Sequence, residues 1–281
     1  MNLSVWSDYY FELSPEEKLI EFQKHGINYT ELSDEDGIEL LEREGTPREI
    51  GKAYGEYARS VGFNITQGHL WLQCKFCTMP DAMEKLMDWI ELFEAIGIKN
   101  AVLHCDNLIE RTDLTYKEKI EKNYEFLAKL KENIKGYKIK ICLENLDSIC
   151  VNSDELLYLV KKLDSPNFGI CLDTGHLNMS RNIGYRESQR DFILKTRDYL
   201  SALHIADNEG GRSDQHMMPL GRGTVDFKEV ISTLKEIGYT GILNYEIPGE
   251  ASSNFAPRPL EIRGYKLEYI KRCYDWMMEN Y

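Results

Sequence analysis

Short β-rich runs alternate with longer amphipathic stretches from one end of this 281-residue chain to the other, and the alternation never breaks. The runs fall at residues 3–6, 29–32, 64–70, 101–104, 139–144, 169–173, 202–205 and 242–246. Several are nearly continuous apolar segments, as parallel strands covered on both faces must be. Eight strand–helix units closed into a barrel need about 250 residues, so little chain is left over. The pattern predicts a single (β/α)8 TIM barrel over residues 1–281, of class α/β. An open doubly wound sheet is the alternative, but its Gly-rich nucleotide loop after the first strand is missing.

Local signals agree with the period. Ser14-Pro15-Glu16-Glu17, Thr46-Pro47-Arg48-Glu49, Thr115-Tyr116-Lys117-Glu118 and Asp226-Phe227-Lys228-Glu229 each pair a helix N-cap with a carboxylate three residues on. Gly26, Gly62, Gly97, Gly136 and Gly238 sit where helices should end. The longest irregular stretches, residues 209–225 and 249–259, both follow a strand with a metal-binding end, as active-site loops do. The aromatic tail at residues 265–281 reads either as the helix that closes the barrel or as a contact for a second copy. Oligomeric state is left open, with room for a homo-oligomer.

Six runs finish on a metal-binding side chain: Gly68-His69, Leu103-His104, Leu143-Glu144-Asn145, Leu172-Asp173-Thr174-Gly175-His176, Leu203-His204 and Tyr245-Glu246. Asp214 and His216 sit in the loop after the seventh run. Five of the six histidines fall in this set, and His25 stays outside it. In a barrel these ends share one rim. Glu144, Asp173, His204 and Glu246 give three carboxylates and an imidazole, an oxygen-rich set suited to Mn²⁺ or Mg²⁺ and tolerant of Zn²⁺ or Co²⁺. His69, His104, His176, Asp214 and His216 are candidates for further metal or substrate contacts, so one to three ions fit. Trp6, ending the first run, is a candidate apolar wall.

Composition narrows the partners. A formal charge of −13 repels phosphate backbones and disfavours nucleic acid. No apolar run reaches 18 residues and no basic-then-apolar leader opens the chain, so neither a membrane span nor a signal peptide is expected. Seven scattered cysteines suit a reducing, cytoplasmic setting. Cys142 and Cys171 read as small buried hydrophobes. Cys74-Lys75-Phe76-Cys77 has redox or zinc spacing, but no second pair completes it, and it reads as an ordinary loop.

The phrases Leu143-Glu144-Asn145, Asp173-Thr174-Gly175-His176, Leu203-His204-Ile205-Ala206-Asp207-Asn208, Asp214-Gln215-His216 and Gly221-Arg222-Gly223-Thr224-Val225-Asp226-Phe227 resemble the xylose isomerase-like barrel superfamily. That superfamily includes sugar isomerases and epimerases and the endonuclease IV group (AP endonuclease family 2). The match spans essentially the whole chain. Resemblance to the ketose 3-epimerases implies that Glu144, Asp173, His204 and Glu246 hold the metal, that Glu144 and Glu246 move protons, and that His176 touches substrate. It implies an isomerase or epimerase of carbohydrate metabolism, acting on a sugar or sugar phosphate through a metal-bound cis-enediolate. Asn145, Arg212, Arg222 and Trp6 are the candidate substrate contacts. The chain departs from the epimerases at Cys150, where they carry a Glu, and at Gly210, where they carry an Arg, with Arg212 close by. Resemblance to endonuclease IV implies a competing reading, a multinuclear zinc phosphodiesterase. His69, His104, Glu144, Asp173, His176, His204, Asp214, His216 and Glu246 all match its ligand positions. A non-catalytic metal-binding barrel is the third reading.

Overall fold

The barrel closes where the first strand pairs with the last. The chain was described from a computed structural model over residues 1–180, 187–249 and 258–281. Its strands are β1 (Asn2–Trp6), β2 (Tyr29–Leu32), β3 (Asn64–His69), β4 (Asn100–Leu103), β5 (Lys140–Glu144), β6 (Phe168–Asp173), β7 (Leu200–Ile205) and β8 (Ile242–Tyr245). All pair in parallel and in chain order, with β1 against β8. Each expected run is a strand. Leu70, His104 and Glu246, expected inside strands, lie just beyond them on the loops.

Strand alternation sorts the two faces. Leu103, Leu143, Leu172, Leu203 and Tyr245 are buried in the large apolar core between strands and helices. Their neighbours one residue earlier point into the barrel. There Val102, Cys142, Cys171 and Ala202 form a small separate cluster, so the two cysteines pack as expected. The other side of this inner layer is polar. Ser4 Oγ donates to Asn244 Oδ1 (2.9 Å), and Gln67 Nε2 (2.6 Å) and Asn244 Nδ2 (2.5 Å) both donate to Glu31. One step further along each strand, the same face presents Trp6, His69, Glu144, Asp173 and His204 at the C-terminal rim.

Helices α1 (Pro15–Lys24), α3 (Pro47–Ser60) and α5 (Tyr116–Asn133) form full capping boxes at Ser14, Thr46 and Thr115. In α9 (Phe227–Glu236) Asp226 accepts the N–H of Glu229. Ser33 caps a short helix, α2 (Asp34–Leu41), that follows β2. The five predicted helix-ending glycines all have positive φ, from 69° to 109°. The tail is α10 (Leu260–Asn280), which buries Leu267, Ile270, Cys273 and Met277 and ties to the first strand through Tyr274 OH and the Met1 carbonyl (2.8 Å). It is the closing helix. Of the irregular stretch 249–259, residues 250–257 lie outside the described residues. No helix among the described residues is long and apolar enough to cross a membrane.

Gly51 and Gly55 let α3 lie directly on α4 (Ala82–Ile96). A Cβ at Gly55 would stand 2.4 Å from the Ile96 carbonyl oxygen, and one at Gly51 would stand 2.4 Å from that of Leu92. Backbone cannot yield as a side chain does. Gly55→Ala is therefore expected to lower stability by about 1–3 kcal/mol, read as a lower urea midpoint at unchanged slope. An unchanged midpoint would mean that the helix pair slides apart freely.

Candidate metal centre

Four strands bring one ligand atom each to a common centre. Atoms of Glu144 (β5), Asp173 (β6), His204 (β7) and Glu246 (just past β8) all lie within 4.8 Å of one another. His204 Nδ1 is 3.3 Å from Glu144 Oε1, 3.3 Å from Glu246 Oε2 and 3.9 Å from Asp173 Oδ2. These four atoms are buried and none makes a hydrogen bond. Buried polar atoms nearly always find partners. Four that face one another without bonding fit a cation.

A second group adjoins the first through Glu144. Its Oε2 lies 2.9 Å from His104 Nε2 and 3.6 Å from His69 Nε2, and His69 Nε2 is also unbonded. Glu144 thus offers one oxygen to each group. On the outer side Asp214 Oδ2 lies between His176 Nε2 (3.0 Å) and His216 Nε2 (2.7 Å). His176 projects from α7 (Thr174–Ser180), whose first residues follow Asp173 directly.

The far nitrogen of most of these rings is anchored, which fixes what the near one presents. His69 Nδ1–H donates to the Leu70 carbonyl (2.7 Å), His176 Nδ1–H to that of Asn145 (3.0 Å), and His216 Nδ1–H to that of Glu246 (2.8 Å). His204 Nε2–H donates to the Glu31 carboxylate (3.0 Å), leaving Nδ1 as the free lone pair at the centre. The field is strongly negative. Burial alone would lower His204, but its surroundings, Cys171 and the carboxylates of Glu31, Glu246 and Glu144, hold it well above its usual value. A field that draws a proton so strongly draws a divalent cation for the same reason. The carboxylates differ. Burial works against the charge on Glu144, yet His204 and His104 hold it well below the usual range. Glu246 is pushed up to about 7, by burial first, with Asp173 and Glu144 adding to it.

A family model described as a xylose isomerase-like TIM barrel matches residues 21–273. The chain belongs to this family. It is 31% identical over 170 residues to the uncharacterized protein MJ1311 of Methanocaldococcus jannaschii, covering 58% of this chain and 56% of that one. It is 30% identical over 166 residues to a probable endonuclease 4 of Ureaplasma parvum (54% and 53% covered) and 32% identical over 166 residues to inosose isomerase of Bacillus subtilis (56% and 57% covered). The chain thus spans little more than half the length of these relatives. A solved D-tagatose 3-epimerase-like protein superposes with a TM-score of 0.77 over 99% of this chain and 98% of that one, at 22% identity, a likeness of fold.

The substrate contacts expected in this family member are placed unequally. Trp6 stands at the rim, its ring edge-on to His69 (5.7 Å) and His204 (6.4 Å), and lines a cavity of about 140 Å³ with Asp8, His216, Glu246 and Pro248. Asn145 is engaged with its neighbouring strand. It is fully buried, its Nδ2 donating to the Asp173 carbonyl (3.0 Å) and its Oδ1 accepting the Asp173 N–H (2.8 Å). Both ends of the amide clamp the β6 strand that carries Asp173. Arg212 and Arg222 are exposed on the loop after β7, and Asp214 pairs with His176 and His216. Cys150 is buried, so its thiol does not replace the epimerase glutamate at a surface. Cys74 and Cys77 are free, and burial pushes both thiols up, as in an inert loop.

Two supports went unseen in the sequence. Glu31 sits inside β2, next to a register shift between Thr30 and Glu31, and carries His204 from below. Asp207 Oδ1 accepts the N–H of Asn208 (2.9 Å) and of Val225 (3.0 Å), and Thr224 N–H donates to the Asn208 carbonyl (2.8 Å). A Cβ at Gly223 would collide with the Asp207 carboxylate. The Asp207-Asn208 and Gly223-Thr224-Val225 phrases therefore form one clamp, which bounds the loop bearing Asp214 and His216.

Glu31 receives three donors on two carboxylate oxygens. Glu31→Gln would turn an amide N–H₂ toward them. The variant is expected to lose about 2 kcal/mol of stability, measured by urea denaturation. Full retention of stability would remove Glu31 from its supporting place under His204.

Proposed function

We propose that the chain is a divalent-cation-dependent isomerase or epimerase acting on a small sugar or polyol. The observation that carries this reading is the ring of four buried, unbonded ligand atoms, one of whose members, Glu246, also lines an open cavity. The likeness to inosose isomerase supports the reaction class. A cation held by Glu144, Asp173, His204 and Glu246 would polarise a substrate carbonyl and acidify the adjacent C–H. The oxygen-rich donor set favours Mn²⁺, and the imidazoles also accept Zn²⁺.

The chain's own groups then divide the work. Glu246 faces the cavity and can reach a substrate carbon, so it takes the proton and leaves a cis-enediolate. Return of that proton to the neighbouring carbon, with the second hydroxyl's proton passing to the former carbonyl oxygen, gives the isomer; the epimer needs a proton delivered to the opposite face of the same carbon, which Glu144 would supply. Glu144 lies among His69, His104, His176 and His204, which orient it for that second proton transfer. His176, engaged with Asp214, serves a substrate oxygen by exchanging that partner.

A second reading has its own support. The Glu144 bridge to His69 and His104, with the His176–Asp214–His216 group, suits a multinuclear zinc phosphodiesterase, and a probable endonuclease 4 is among the relatives. The charge of −13 weighs against a duplex as substrate.

Incubation with a panel of neutral ketoses in D₂O should give solvent deuterium at the carbon beside the carbonyl. Glu246→Gln should lose at least ~100-fold of that exchange while still folding, as far-UV circular dichroism would show. Cleavage of a model phosphodiester without exchange in any ketose would transfer the site to the second reading.

A further inference from the structure

The cavity beside Glu246 carries a carboxylate that the reaction above does not use. Asp8 lies in the short turn that follows β1, and its side chain is 25% exposed. Its neighbours in the cavity are Trp6, His216, Glu246 and Pro248. The turn is held rigidly. Ser7 Oγ donates to Asp36 (2.5 Å) and accepts the Ser33 N–H (2.8 Å). Lys18, itself only 3% exposed, is bonded to Asp36 at 2.5 Å and stands 3.5 Å from Asp8. One buried ammonium thus serves two carboxylates, and Asp8 is the less satisfied of them. Burial, with Glu35 and Asp36 near, pushes its carboxyl up to about 7.

A partly dehydrated carboxylate needs hydrogen-bond donors and repels anions. The cavity is lined by both an indole and this acceptor. At about 140 Å³ it holds several times the ~30 Å³ that one water occupies in the liquid. A substrate chelated near Glu246 would extend into it. We propose that Asp8 accepts a hydroxyl at the far end of an uncharged polyhydroxylated substrate, stacked on Trp6, and discriminates against the same molecule carrying a phosphate there. This rests on the sugar reading and sharpens it: the site takes a free sugar or polyol.

The cavity on the other flank of the centre does not reverse this. It measures about 220 Å³ and is lined by His104, His176, Asp106, Asp147, Ser148 and Lys75 among others. Its single lysine is exposed and shares the cavity with two aspartates.

The test is calorimetric binding of neutral ketohexoses and their terminal phosphates to the full-length chain as purified, beside the exchange assay. Wild type is expected to bind a neutral ketose at least tenfold more tightly than its phosphate. Asp8→Ala should weaken neutral-sugar binding about tenfold and narrow the gap to the phosphate. Asp8→Asn, which keeps an acceptor and loses the charge, should restore part of the sugar affinity while admitting the phosphate. Unfolding midpoints check that each variant folds. Sugar affinity within twofold of wild type in Asp8→Ala, a wild-type preference for the phosphate, or no binding of any neutral ketose would overturn the proposal. Failure of the isomerase reading would look different: neutral sugars bound in an Asp8-dependent way with no deuterium exchange.

Discussion

Like charges held close at the mouth of a closed barrel set the terms for everything else in this protein. Ligand atoms of three carboxylates and one imidazole lie within 4.8 Å of one another, and all are buried. At that separation and an effective dielectric near 20, each pair of carboxylates costs roughly 3 kcal/mol. His204 and His104 offset part of this at Glu144, but the four facing atoms make no hydrogen bond. The remaining architecture resists the repulsion: a cyclic parallel ladder fixes the strand ends, Asn145 ties β5 to β6, and Glu31 props His204 from within the barrel. A divalent cation is the species whose charge and size such a frame suits.

The arrangement also has a direction. Glu144 lies against His69, His104, His176 and His204, while Glu246 opens toward Trp6 and Asp8. Of the two glutamates, Glu246 is the one that lines this cavity. Near symmetry of the two glutamates in sequence gives way to asymmetry in space, because β5 is flanked by ligand-bearing strands on both sides and β8 has β1 on one side, contributing an indole instead.

Much of this was legible before any coordinates. Parallel strands buried on both faces must read as apolar runs, and the polar residue ending such a run can only sit at the rim, so the eight strands and the rim ligands follow from position alone. The capping boxes at Ser14, Thr46 and Thr115 were legible because a cap is a local bond. Glu31 was not, because it lies within its strand rather than at the end, and only ring closure brings it beneath His204. The bonds of Asn145 were not legible either: its amide faces along the sheet to the Asp173 backbone, a pairing between strands 28 positions apart. Asp8 belongs to a turn whose path depends on Ser7, Lys18 and Asp36, contacts spread over 29 positions, which no local pattern encodes.

The most direct measurement is the divalent metal content, by elemental analysis, of protein purified without added metal and after dialysis against Mn²⁺ or Zn²⁺, compared with a His204→Ala variant. The account predicts one or more ions per chain in the natural sequence and loss of the ion at the four-residue centre in the variant. A chain that retains no divalent ion under either condition, or a variant that binds as many as the parent, would contradict it.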